Sequence, residues 1–355
     1  MHTQNKGFSL IEVLVGMTIG LLGIIVITQV FSVSEASKQT TTSGGDAQQN
    51  AALSMHTLER DIRMAGYGIN SIASLSGCKI NAYNSDRTPS SFDFILTAVV
   101  INQGVGNLPD TITTTYSNSS IVNSPASLTQ AMPNPAAVYK VNNRFGFNEG
   151  DLIIAAEPGK ECTLGQTSGV PGAPGNSDNV IHNSGNYTNP EGNNVPATFN
   201  KPGGVSNVPY TTSAKLYNIG PLPVSNIYSI SNNALIATSN FTNVAETVAD
   251  NVIDLQAQYG VDNNNDNAVD VYQTSADLDA SGTVSGVEWS RVLSVRFGLV
   301  ARSIKREPGC NVTTAVPSWQ GGTFNNITAN ADWQCYRYRV FETTTTMRNL
   351  IWKPA

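Results

Sequence analysis

Three groups of residues in this 355-residue chain have types and spacings that could do chemistry. The first is an oxygen-rich run. Asp277-x-Asp279-x-Ser281-Gly282, closed by Glu288, puts oxygen side chains at loop positions 1, 3, 5 and 12 and a bend-permitting glycine at 6. Thr283 would offer a backbone carbonyl at position 7. Calcium is held in this way, with a final glutamate gripping through both oxygens. Just upstream, Asp262-x-Asn264-x-Asp266 with Asp270 repeats the logic in a shorter loop that lacks the closing glutamate. Calcium is therefore the expected cofactor for at least one loop. The competing reading is that Asp/Asn-rich runs simply make hydrophilic turns between Tyr259 and Trp289.

The second group is a lone acid in an apolar run. From residue 8 to residue 31 nearly every side chain is apolar or small, and Glu12 is the only charge. As a helix this run measures about 36 Å, enough to cross a hydrocarbon core of about 30 Å. An unpaired carboxylate there costs about 2.5–3.5 kcal/mol or more. Cleavage between Gly7 and Phe8 would supply the missing partner, because the new amino group on Phe8 could meet Glu12 of a neighbouring helix of the same kind. A conventional signal peptide does not fit: the polar leader is short, the apolar block is long, and no small-x-small site closes it. Lys6 leaves the leader cytoplasmic and the remainder outside, as a single-pass inner-membrane protein.

The third group is Cys78, Cys162, Cys310 and Cys335. None forms a C-x-x-C pair, so zinc and thioredoxin chemistry lack support. An even count behind an export signal favours two disulfides in an oxidising compartment. Three connectivities are open, and the pairs nearest in sequence, Cys310 with Cys335 and Cys78 with Cys162, are preferred. Catalysis finds little material. After cleavage only His56 and His182 remain, with no triad pattern, P-loop, nucleophile elbow or H-E-x-x-H motif. No enzyme is expected. A net charge of −6 argues against a general nucleic-acid surface, and the basic residues Arg302, Lys305 and Arg306 read as a solvated strand end.

These residues need elements to carry them. After the apolar run, Ala51, Met55, Leu58, Ile62 and Ala65 recur at intervals of three and four and share one helical face, opposite Gln49, Glu59, Arg60 and Arg63. One long helix is expected, membrane-spanning over 8–31 and amphipathic over 32–66. Gly44-Gly45 is its weak point, a possible break or hinge, and Gly66 and Gly68 end it. Gly16-x-x-x-Gly20 could let another helix approach closely.

Beyond it the period changes to two. Strands are expected over 92–101, 137–141, 151–157, 214–219, 252–259, 291–302 and 336–343, with a hairpin joining 227–230 to 234–238 through Asn232-Asn233. Residues 163–209, dense in Gly, Asn, Ser and Pro, read as a long surface insertion without a core of its own. The fold class is α+β: a long N-terminal helix packed on a mainly antiparallel, β-rich domain over 67–355.

The stretch Gly7-Phe8-Ser9-Leu10-Ile11-Glu12-Val13-Leu14-Val15 resembles the processing site of type IV prepilins and type II secretion pseudopilins. That resemblance implies a leader of residues 1–7, cut by prepilin peptidase after Gly7, and methylation of the new N-terminal Phe8. It also implies that Glu12 neutralises an N-terminus during filament assembly. Leu58-Glu59-Arg60-Asp61-Ile62-Arg63-Met64-Ala65-Gly66-Tyr67 is similar to the helix end of PilW-type minor pilins. So are Leu255-Gln256-Ala257-Gln258-Tyr259-Gly260-Val261-Asp262, Trp289-Ser290-x-Val292 and Phe341-Glu342-Thr343-Thr344. Residues 163–209 match nothing in that pattern. The implied role is structural: a minor pilin that helps initiate pilus assembly near the tip and supports twitching motility, adhesion or DNA uptake. The implied partners are other minor pilins, the major pilin, a tip adhesin and the inner-membrane assembly platform. Two other readings remain, a type II secretion pseudopilin and a surface module that binds a ligand or DNA.

Overall fold

The computed structural model describes residues 7, 9–69, 76–119, 125–172, 178–204, 209–274, 286–307 and 309–351. A single helix, Leu10–Met64, runs 55 residues, about 80 Å at about 1.5 Å per residue. It is long and apolar enough in its first part to cross a membrane. The helix is continuous, as expected, and passes through its weak point at Gly44-Gly45 without a break. Packing supplies the reason. Ser43 and Ala47 on either side are buried, Ala47 against Ala301 and Phe341, which offsets a glycine penalty of about 1 kcal/mol each. The helix ends where Gly66 and Gly68 take positive φ, and the Gly66 N–H donates to Thr115 O at 2.9 Å.

Three main sheets follow. The five-stranded sheet runs Ala245–Asp250, Ala234–Ser239, Val224–Ser231, Thr111–Tyr116, Val99–Asn102, every pairing antiparallel. The Asn232-Asn233 hairpin lies within it; both asparagines have positive φ, at 51° and 59°, as a tight primed turn requires. The four-stranded sheet is Val271–Gln273, Val252–Val261, Val292–Arg302, Tyr338–Thr346, also antiparallel throughout. Leu58, Ile62 and Ala65 enter one core shared with both sheets, including Tyr228, Leu255, Tyr259, Val295 and Phe297. This is the apolar stripe read from the sequence, now with a partner on each side.

The six-stranded sheet holds Ser91–Leu96, Cys78–Tyr83, Cys162–Gln166, Leu152–Ala156, Lys215–Gly220 and Ala126–Ser127 in that order. Only the Cys78–Tyr83 and Cys162–Gln166 pair is parallel within it. Here the reading of 163–209 as a coreless insertion is wrong. Cys162–Gln166 is a fully buried inner strand with Leu164 in a core beside Ile80 and Ile154, and Val180 helps form a further core with Tyr139, Ile153 and Leu216. The expected strand over 92–101 is two strands, one in each of two sheets, because the chain leaves the ladder at Thr97-Ala98.

Candidate functional site

The N-terminal turn sets the local chemistry of Glu12. Ser9 is the N-cap with extended backbone (φ −71°, ψ 141°), and its N–H donates to Glu12 Oε2 at 3.1 Å. The lone acid thus holds one of the amides that a helix start leaves without a carbonyl. Gly7 is exposed, while Phe8 lies outside the described residues. From Leu10 to Val33 the large apolar side chains are exposed, for example Leu10 at 80% and Phe31 at 66%. Gly16, Gly20 and Gly23 face open space. An apolar rod carrying one capped carboxylate can insert into lipid or pack against other helices, and none of the described residues covers it.

The second half of the helix is held by polar contacts that the periodicity does not show. Asp61 is 1% exposed. Its Oδ2 accepts the Tyr228 hydroxyl, and its Oδ1 accepts Tyr116 Oη–H at 3.3 Å and Arg60 Nε–H at 3.0 Å. Burial, reinforced by the Asp61 charge, pushes the Tyr116 phenol up to about 12 and Tyr228 higher still. At the helix end, Asn349 Nδ2 donates to Met64 O and Ala65 O at 3.1 Å each, closing carbonyls left open there. Nearer the apolar half, Ser43 Oγ accepts Ile304 N–H at 3.0 Å. Sequence reasoning missed Asp61 as a site residue. Its signal was an acid placed between Leu58 and Ile62 on the apolar face.

The Asp262–Asp270 loop folds around its own carboxylates. Asp262 Oδ1 accepts the N–H groups of Asn265 (2.6 Å) and Asp266 (3.3 Å), and Oδ2 accepts that of Asn267 (2.9 Å). These amides hold Asp262 below the usual carboxylate range against the opposing effect of desolvation. Asp266 Oδ1 caps Ala268 N–H, Asp270 Oδ2 takes Asn263 N–H, and Asn264 Nδ2 lies 3.2 Å from Asp266 Oδ2. The Asp262 oxygens thus organise the turn itself. Among the described residues no group of three or more His, Cys, Asp or Glu side chains is placed to share a metal. Of the second loop, Asp277, Asp279, Ser281 and Thr283 lie outside the described residues; Glu288 sits half-buried on the short helix Gly286–Trp289.

The structure joins Cys78 to Cys162 and Cys310 to Cys335, leaving no free cysteine. The first bond ties two inner strands of the six-stranded sheet; the second ties Cys310 to the turn Trp333–Cys335. His182 is buried against the Tyr139 ring with Nε2 2.8 Å from Ala137 O, a structural position. Lys305 and Arg306 are exposed; Arg302 is partly buried over the Tyr336 ring.

With this geometry in place, residues 224–349 match the family model of type IV pilus-assembly protein W. The matched segment covers the four-stranded sheet, the hairpin and Asn349. Residues 2–28 match the prokaryotic N-terminal methylation motif, which contains Gly7, Phe8 and Glu12. Each match is a similarity over part of the chain, the first to a pilus-assembly protein and the second to a processing motif. No curated protein and no solved structure matches the chain significantly.

Proposed function

We propose that this chain is a structural subunit of a type IV pilus, processed after Gly7, methylated at Phe8, and built into the filament through its first helical half. The observation that carries the reading is the coincidence of the methylation motif with an uncovered apolar helix bearing one acid, Glu12, at its start. In lipid, Glu12 has the Ser9 amide for company. In a bundle of sister helices it would meet a cationic terminus, a stronger, charge-assisted partner. That difference would favour leaving the membrane for the filament.

The role within the pilus follows the PilW-type match. The subunit would help initiate assembly near the tip with other minor pilins, the major pilin, a tip adhesin and the inner-membrane platform, and support twitching motility, adhesion or DNA uptake. Its β-rich part would sit on the far side of the inner membrane and later on the pilus surface. Nothing in this role calls for catalysis. Calcium at 277–288 is a further proposal that rests on ligand spacing alone.

The test is a deletion scored for surface pili, twitching and exoprotein secretion. Loss of pili and twitching with intact secretion is expected. Lost secretion with normal pili would assign the chain to a secretion system.

A further inference from the structure

The end of the domain nearest the apolar helix half is basic. The 303–307 loop leans on the helix there: Ile304 N–H donates to Ser43 Oγ and Lys305 Nζ to Gln39 Oε1, both at 3.0 Å. Gln39 and Ser43 stand about 9 and about 15 Å past Val33 along the axis, at about 1.5 Å per residue. Val33 is the last large apolar side chain of the exposed run. Around this corner lie Lys38, Lys305, Arg306, Arg337 and Arg339. Register places Arg339 opposite Ala301, which packs on Ala47, and Arg337 follows on, its N–H donating to Ser303 Oγ.

Two of the five are neutralised, Arg306 by Asp332 at 3.3 Å and Arg337 by Glu307 at 2.9 Å. Among the described residues no carboxylate lies within 4.0 Å of the basic nitrogens of Lys38, Lys305 or Arg339. Glu35 and Asp46 stand beside Lys38 and Lys305 on the helix side of the corner, and Lys38, Lys305 and Arg339 are its cations without an ion-pair partner among the described residues, on a chain of net charge −6. Ile304, 54% exposed, projects beside Lys305. An apolar tip ringed by Lys and Arg is suited to the headgroup boundary of a bilayer, where the apolar group dips and the cations meet phosphate.

We infer that this basic corner, centred on Lys305 and Arg339, is a docking surface for anionic phospholipid headgroups while the chain is anchored by its helix. The inference rests on the membrane reading of the helix. The tether favours lipid over DNA, because it holds the corner about a Debye length from the bilayer whenever the helix is inserted. Such a contact would fix the domain's tilt on the membrane and add a cost to extraction that depends on lipid charge.

The test uses the full chain in nanodiscs of phosphatidylcholine alone, or of phosphatidylcholine with phosphatidylglycerol, read by amide hydrogen exchange. With the helix protected in both, the Lys305 and Arg306 amides should exchange about fivefold more slowly or less in anionic discs than in neutral ones. Lys305→Gln with Arg339→Gln, or high salt, should abolish the difference; about 1 kcal/mol per basic side chain at an anionic surface corresponds to about fivefold. Equal exchange in both discs, with the helix inserted, overturns the inference and leaves the anchor intact. Equal protection by inorganic phosphate in neutral discs would mean a free-anion site, and stronger protection by duplex DNA a nucleic-acid surface; either overturns it. A helix unprotected in both discs overturns the membrane reading as well.

Discussion

The Asp61 carboxylate on the long helix accepts the hydroxyl of Tyr228 from the middle strand of the five-stranded sheet, and both groups are buried. It is a polar pin set in a largely apolar core, beside the Tyr116 hydrogen bond to the same carboxylate. Removing the Tyr228 hydroxyl takes the donor from Asp61 Oδ2 and leaves the carboxylate with Tyr116 and Arg60 on Oδ1, at a cost of about 1–3 kcal/mol, and removing Asp61 takes the acceptor from both tyrosines. Tyr228→Phe is therefore expected to destabilise the chain by about 1–3 kcal/mol and Asp61→Ala by about 2–4 kcal/mol. Urea unfolding in detergent, followed by tryptophan fluorescence, measures both. The exposed partner Arg60, 63% accessible, should matter little, so Arg60→Gln should stay within about 0.5 kcal/mol.

Asp254 gives a pH dependence of opposite sign to ordinary acid denaturation. It is fully buried, with Oδ2 lacking a partner, and burial pushes it up to about 7. An unfolded aspartate titrates near 3.9, so as pH rises through this window the unfolded chain loses its proton first. The stability that this group contributes is complete below about pH 4 and lost as pH rises through about 7. Asp254→Asn should accordingly stabilise the protein by about 2–4 kcal/mol at pH 8 and change little at pH 4. Denaturant midpoints at the two pH values check it.

His182 slopes the other way. Burial lowers its value, against the hydrogen bond to Ala137 O. The unfolded imidazole takes its proton near pH 6.5, before the folded one does, so stability falls as pH drops below about 6.5. His182→Gln should flatten that slope in unfolding curves collected between neutral and mildly acidic pH.

How far the sequence discloses this structure depends on what each residue reports. Leu58, Ile62 and Ala65 reveal their burial through spacing, and Asn232-Asn233 its turn through backbone preference. The α+β class with antiparallel sheets follows from the change of period after Gly66. Asp61 was legible as an acid on an apolar face, but its partners Tyr116 and Tyr228 are remote in sequence and only the fold brings them together. The helical state of Gly44-Gly45 depends on Ile304, Ala301 and Phe341 packing nearby, which no local propensity contains. Cys162–Gln166 was hidden because a buried inner strand of five residues, Cys-Thr-Leu-Gly-Gln, has neither alternation nor a strong apolar run. At the N-terminus the motif spoke for itself; the Ser9–Glu12 cap needed coordinates.

The two disulfides should differ in weight. Cys78–Cys162 spans a sequence separation of 84 and Cys310–Cys335 one of 25. In the chain-entropy account these correspond to about 4–5 and about 3–4 kcal/mol. Replacing both cysteines of a pair by serine should thus lower stability more for Cys78/Cys162, measured by denaturant unfolding of each double variant.

Calcium binding at 277–288 predicts heat on titration with calcium and a higher melting temperature, with a dissociation constant of about 10⁻⁴–10⁻³ M, the range of extracellular modules. Asp277→Ala and Glu288→Gln should remove both effects. Titration without heat, and stability unchanged by either substitution in calcium, would show that the run is only a turn.

Mass spectrometry of the N-terminus of the chain recovered from cells tests the central claim most directly. Wild type should begin at Phe8 with one added methyl group and copurify with other pilin subunits, while Glu12→Ala should be processed yet recovered without those partners. A chain that retains residues 1–7, and still joins filaments as the Glu12→Ala variant, would contradict the account.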